Sequence, residues 1–184
     1  MRHPDVFSAF YAMSPCCMSA RGAPSAESAK RLEAVVAGGD TAGSRSLDFG
    51  TRATLASAAA WSPNPKAPPF YLDLPTKDGV AQPQVLARWA ANAPLAMVDQ
   101  YVANLRRYTA IGLDVGDQDG LRFDTAELHR ILDAYGIANT FELYPGDHVS
   151  AVADRMQNHV LPFFGKSLAF DARRGSPRRR CSFR

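Results

Sequence analysis

No apolar run in this chain of 184 residues reaches the length of about 20 that a membrane span takes. Cysteine is scarce. Cys16 and Cys17 are adjacent and Cys181 lies near the end, so no C-x-x-C or His/Cys cluster has metal-ligand spacing. Three cysteines in that arrangement suggest no disulfide framework, and they leave the compartment unread. No metal and no cofactor are expected. A leader is poorly supported: Val6 to Met13 is apolar and small residues follow at Ser19 to Ala23, but Arg2 is the one charge ahead of Pro4 and Asp5.

A basic folded face is missing as well. The formal charge is +3, yet six arginines against Asp171 give residues 171–184 a net +5, which leaves −2 for residues 1–170. A nucleic-acid-binding domain carries its basic stripe on folded surface, so neither nucleic acid nor membrane is an expected partner. Residues 171–184 read as a disordered, Arg-rich tail. The rest, 46% hydrophobic and 21% charged over the whole chain, is enough for one domain with a core.

What is present is concentrated between Tyr108 and His148. Tyr108 to Val115 reads as a strand, and Gly116-Asp117-Gln118-Asp119-Gly120 as an acidic loop. A helix follows, starting at the capping-box-like Asp124-Thr-Ala-Glu127, with an apolar stripe of Leu128, Ile131, Leu132 and Tyr135 that Gly136 closes. Thr140 to Tyr144 is a second strand, and Pro145-Gly146-Asp147-His148 leaves it. A β-α-β unit of this length has parallel strands and a right-handed crossover, so both strands end at the same sheet edge. In open α/β sheets that edge is where sites are built.

An acid and a histidine delivered there make two members of a Ser-His-Asp triad. Asp119, a little past the strand end, is the first choice to hold the imidazole, and Asp117 is the alternative. Asp114 is a third choice, but it lies inside the strand and could simply point to solvent. The loop lacks the alternating ligands of a calcium site. His129 and His159 fall on helices and read as ordinary surface histidines.

The third member is absent. No G-x-S-x-G occurs, and the hydrolase chain order of Ser, Asp, His would put it before Met1. Gly39-Asp-Thr41-Ala-Gly43 has the spacing, but a helix precedes it, and Gly38-Gly39 reads as that helix's stop. The chain is therefore expected to be the C-terminal half of a larger enzyme.

Elsewhere, Met1 to Phe7 reads as a helix end, Phe7 to Met13 as a buried strand, and Ser25 to Val36, Leu47 to Trp61 and Val85 to Arg107 as helices. Six prolines between Ser62 and Gln84 exclude helix and inner strand, and suggest an excursion lining a site mouth. Phe70 and Tyr71 there are as apt for an acyl-group wall as for a core; Trp89 reads as core. A last helix from Val149 to Val160 is expected to bury Val152, Met156 and Val160, with Pro162 ending it.

These residues resemble a family. Arg2-His-Pro-Asp-Val-Phe-Ser-Ala9 with Met13-Ser-Pro15, Ser62-Pro-Asn-Pro65 with Pro68-Pro-Phe-Tyr71, Gly116-Asp-Gln-Asp119 and Tyr144-Pro-Gly-Asp-His148 are similar, in order, to segments of the esterase branch of the α/β-hydrolases. That branch includes esterase D-like (S-formylglutathione hydrolase-like), enterochelin-esterase-like and feruloyl esterases. The resemblance covers about residues 1–168. It implies an incomplete α/β-hydrolase fold over 1–170, holding the C-terminal strands and helices of a mainly parallel sheet. It implies a serine carboxylesterase whose triad includes His148 and Asp119, acting on a small-molecule ester. The chain alone, without the serine, would be inactive. The alternative is a non-catalytic half-hydrolase kept as an interaction module. Either way the first strand is expected to be an exposed edge that invites self-association.

Overall fold

The computed structural model describes residues 1–19 and 23–169. The expected disordered tail, 171–184, lies outside those residues.

The architecture is α/β. Strand β1 (Ala9–Met13) leads through a loop to helices α1 (Ala26–Gly38) and α2 (Phe49–Trp61). The Ser25 hydroxyl caps α1 by accepting from the Ser28 N–H, and Asp48 caps α2 by accepting from the Thr51 N–H. Gly39, at a left-handed φ of 69°, closes α1. The proline-dense excursion follows, and contains a two-residue-per-strand hairpin, β2 (Thr76–Lys77) and β3 (Val80–Ala81). The helix expected over Val85 to Arg107 is four pieces: α3 (Pro83–Asn92), α4 (Pro94–Met97), a 3₁₀ turn (Val98–Tyr101) and α5 (Val102–Leu105). Pro94 causes the first break, because it lacks the N–H that would continue α3 and disfavours helical backbone at Ala93.

Strand β4 (Ala110–Gly116), helix α6 (Arg122–Ala134) and strand β5 (Thr140–Tyr144) form the β-α-β unit. The sheet order is β1-β4-β5, all parallel, with Met13 opposite Asp114 and Gly116 opposite Tyr144. Among the described residues β1 is an edge with no strand beyond it. Its side chains are half-buried rather than buried, and Phe7, ahead of it, is exposed.

Alternation along β4 divides the two faces of the sheet. Ile111 and Leu113 point into a core with Val98, Leu105, Leu128, Leu132 and Ile137, each removed from water almost completely. Burying one such side chain contributes about 1.5–3 kcal/mol. Gly112 and Asp114 point the other way, where Tyr11 and the last helix lie. At Gly112 a side chain would run into the Tyr11 ring, so glycine lets that ring cross β4. Asp114 does not point to solvent: it is fully buried, and Arg155 reaches it. A second core joins Leu32, Leu55, Ala58 and Leu72, with Phe70 and Trp89 packed against it.

Three helix expectations need correction. Residues 4–6 form a turn rather than a helix end, with the Val6 and Phe7 N–H groups both donating to the His3 carbonyl. Helix α6 starts at Arg122, two residues before the supposed capping box. Asp124 instead accepts from the Ser19 hydroxyl, and Glu127 pairs with Arg130. The last helix does not end at Pro162: α7 (Val152–Arg155) runs through a π turn (Met156–Val160) into α8 (Leu161–Ser167). The wider π turn ahead of Pro162 accommodates the missing N–H, so the proline begins a helical segment instead of stopping one. That helix buries Arg155 and Val160, while Val152 and Met156 stay exposed. The buried carboxylate of Asp114 takes an arginine where an apolar stripe was expected.

Candidate active site

Parallel pairing of β4 and β5 brings the loops after them side by side. The Asp117 N–H donates to the Tyr144 carbonyl (2.8 Å), and the Gln118 N–H to the Gly146 carbonyl (2.9 Å). The Asp117 carboxylate accepts in return from the Gly146 N–H (3.0 Å). Gly116 is what lets the loops close: a Cβ there would run into the backbone carbonyls of Gly146 and Asp147. Gly146 itself sits at φ 154°, in backbone space suited to glycine.

Within this clamp, Asp119 and His148 meet. Nδ1 of His148 lies 2.8 Å from Oδ2 of Asp119. The other carboxylate oxygen accepts from the Leu121 N–H (2.9 Å), and the Asp119 carbonyl accepts from Arg122 (2.8 Å), which fixes the loop's exit into α6. On the histidine side, Asp147 accepts from the N–H groups of Val149 (2.9 Å) and Ser150 (2.8 Å), and its own N–H donates to the Ser150 hydroxyl. That turn holds the imidazole in place from the residue before it.

Burial differs sharply across the pair. Asp119 is 5% exposed, whereas the His148 side chain is 56% exposed. Burial by itself would raise the Asp119 carboxyl. The Leu121 N–H, His148 and the Ser14 hydroxyl outweigh it, and hold the group below the ordinary aspartate value. The result is a fixed, water-poor carboxylate on one nitrogen of an imidazole that is otherwise open to solvent.

Of the two acids proposed from sequence, Asp119 is thus the one in contact with His148. Asp117 faces the Gly146 N–H and works as part of the loop clamp. Asp114 belongs to a separate buried network. There Arg155 Nε donates to Asp114 (2.9 Å), its terminal nitrogens to Glu142 (2.7 and 2.8 Å), and the Tyr11 hydroxyl to Asp114 (2.9 Å). Burial, then the bond to Asp114, pushes the Tyr11 hydroxyl up to about 12. His129 bonds Asn139 and stacks on Phe141; His159 pairs with Glu142. Thr41 follows a helix stop, not a strand. Trp89 packs edge-on against Trp61 and donates to Ser62, and Phe70 packs in the second core, while Tyr71 is exposed. Among the described residues no group of three His, Cys, Asp or Glu is placed to hold a metal, and no helix is long and apolar enough to cross a membrane.

No protein-family model matches the chain, and no curated protein does. A solved structure described as a ferulic acid esterase is similar to it. The likeness spans 52% of this chain and 38% of that one, at 23% identity and a TM-score of 0.41.

Sequence reasoning missed Ser14, Arg155 and Asp147. Arg155 went unread: its neighbours at three- and four-residue spacing, Ala151, Val152, Asn158 and His159, form no single pattern. Asp147 was passed over as a neighbour of the histidine, although an Asp two residues ahead of a backbone N–H is a turn signal in itself.

Proposed function

We propose that His148 and Asp119 are the base and the orienting acid of a Ser-His-Asp carboxylester hydrolase. The observation that carries this reading is the 2.8 Å contact from Nδ1 to Oδ2, made just past the C-terminal ends of two parallel strands. With the proton on Nδ1 directed at the carboxylate, the Nε2 lone pair is available. It takes the proton from a serine hydroxyl as that oxygen attacks the ester carbonyl, then returns it to the departing alcohol. Asp119 stabilises the imidazolium formed between those steps and does not itself take the proton. A second cycle with water in place of the serine releases the acid.

These 184 residues hold no G-x-S-x-G to supply the nucleophile of this scheme. The 184-residue chain is therefore expected to be inactive alone. It should not turn over p-nitrophenyl acetate above a buffer blank, and should not label with a fluorophosphonate probe. The test extends the reading frame upstream until it takes in an elbow serine, and assays that longer chain. Hydrolysis is expected, with His148→Ala lowering kcat by about 10⁴-fold or more and Asp119→Asn by about 10⁴-fold. An active longer chain whose kcat ignores both changes would refute the assignment.

A second reading, a half-hydrolase module that binds another chain, is favoured by one observation: β1 has an open edge among the described residues. Stop codons upstream of Met1, together with a stably expressed chain, would decide for it.

A further inference from the structure

We propose that Cys16 and Cys17 are a vicinal dithiol that small-molecule disulfides oxidise, reversibly, to a Cys16–Cys17 disulfide. This chemistry needs neither Asp119 nor His148.

The two sulfurs already meet. The Cys17 thiol donates to the Cys16 sulfur at 3.3 Å, and both residues are exposed. On extended backbone, adjacent side chains point to opposite sides. Here Cys17 has φ 61°, left-handed space that a residue with a Cβ enters at a cost. That turn breaks the alternation, and the thiols emerge together.

The segment that carries them is pinned at both ends. Ahead of it, Ser14 is buried, and its N–H extends the β1–β4 ladder by donating to the Asp114 carbonyl (2.8 Å). Pro15 then fixes its own φ through its ring. Behind it, Met18 is buried in the main core, and its carbonyl accepts from the Leu95 N–H (2.9 Å). Two exposed cysteines thus bridge two buried anchors, and little freedom is left to lose when the sulfurs join. Because β1 and β4 are parallel, the pair follows the strand end at the same sheet edge as the acid loop.

The reaction is thiol–disulfide exchange. One cysteine, as its thiolate, attacks a sulfur of the incoming disulfide, forms a mixed disulfide and expels one small thiolate. The neighbouring thiolate attacks the protein-side sulfur of that mixed disulfide and expels the second. Two protein thiols are oxidised, one small disulfide is reduced to two thiols, and the two protein thiol protons pass to the released thiolates. Consecutive Cα atoms stand about 3.8 Å apart, short of the roughly 4.4–6.8 Å that a disulfide ordinarily spans. The ring is therefore strained as well as exposed, and such disulfides are the readily reduced ones. A bond of this kind responds to redox conditions and does not staple a fold.

The test incubates the full 184-residue chain carrying Cys181→Ser with excess oxidised glutathione, and reads the intact mass and the peptide holding residues 16 and 17. The main product should lack two hydrogens, carry no glutathione and resist alkylation at both cysteines. Excess reduced glutathione should restore both thiols. Cys16→Ser and Cys17→Ser, each in the same background, should instead stop at one glutathione adduct. In urea, where the anchors at Ser14 and Met18 are lost, double adducts should gain on the closed form. A folded chain that accumulates glutathione on both cysteines, or links to a second chain, would overturn the proposal. So would a closed form that resists excess reduced glutathione, or one that arises as readily in urea as in the folded chain.

Discussion

Arg155 and Asp114 form an ion pair with both side chains withdrawn from water, Nε to Oδ2 at 2.9 Å with relative exposures of 3% and 0%. The pair ties the last helix to the central strand beneath the candidate site. Asp114 retains one oxygen with no partner among the described residues, so the arginine is its main compensation. Arg155→Met should cost about 3–5 kcal/mol, the usual result of leaving a buried charge unpaired. Adding Asp114→Leu to that variant should recover much of the loss. Urea denaturation of the single and double variants checks both; a single variant within about 1 kcal/mol of wild type would mean that water already reaches Asp114.

Gly116→Ala should separate the two loops. The new methyl meets backbone at Gly146 and Asp147, which cannot swing aside as a flexible side chain would. We expect a stability loss of about 1–3 kcal/mol. The Asp119–His148 hydrogen bond should be lost while the sheet is retained. Far-ultraviolet circular dichroism beside the imidazole proton spectrum distinguishes this from unfolding.

The acid limb of stability should depend on Asp119. Its carboxyl is held below the ordinary value in the folded state, so it contributes stability above the unfolded-state value of about 3.9. That contribution fades as pH falls through the lower folded value. Asp119→Asn cannot titrate, so its stability should decline less than that of wild type over the same fall. The slope does not vanish, because Asp73 and Glu142 are also held low, each chiefly by an arginine. Denaturation midpoints at a series of pH values give the comparison; identical slopes would place the Asp119 carboxyl at its ordinary value.

The open edge of β1 should make the chain self-associate. Five uncharged residues, Ala9–Met13, present strand hydrogen-bonding groups with no strand partner among the described residues. An apolar groove beside them is lined by Met1, Phe10, Ala12, Met18, Met97 and Leu128. Size-exclusion chromatography should show mass rising with concentration, and Ala9→Lys should reduce it. A monomer at every concentration, with steep cooperative unfolding, would show that the edge is protected.

The β-α-β unit was legible because its signals are local. An apolar strand, a stripe at helical spacing, a closing glycine and a Pro-Gly turn each follow from a few neighbouring residues, and handedness then places Asp119 and His148 at one edge. Choosing between Asp117 and Asp119 was not a local question. It depends on the backbone bonds between the loops, which turn Asp117 toward Gly146. Arg155 was hidden for the same reason: its partner Asp114 is 41 positions away. Ser14 was quoted only as part of a family-like segment, because the bond from its N–H to the Asp114 carbonyl runs between strands. At Pro162 a sound local rule failed, since the π turn ahead of it absorbs the defect that normally ends a helix.

The central claim is that Asp119 receives the Nδ1 proton of His148 and leaves Nε2 as the base. Long-range ¹H–¹⁵N spectra of the imidazole at about pH 9, well above the ordinary imidazole range near 6.5, report this directly. The account predicts that Nδ1 carries the proton, that the proton resonates far downfield, and that Asp119→Asn removes the signal while Asp117→Asn leaves it. Protonation at Nε2 instead, or a downfield proton that survives Asp119→Asn, would contradict it.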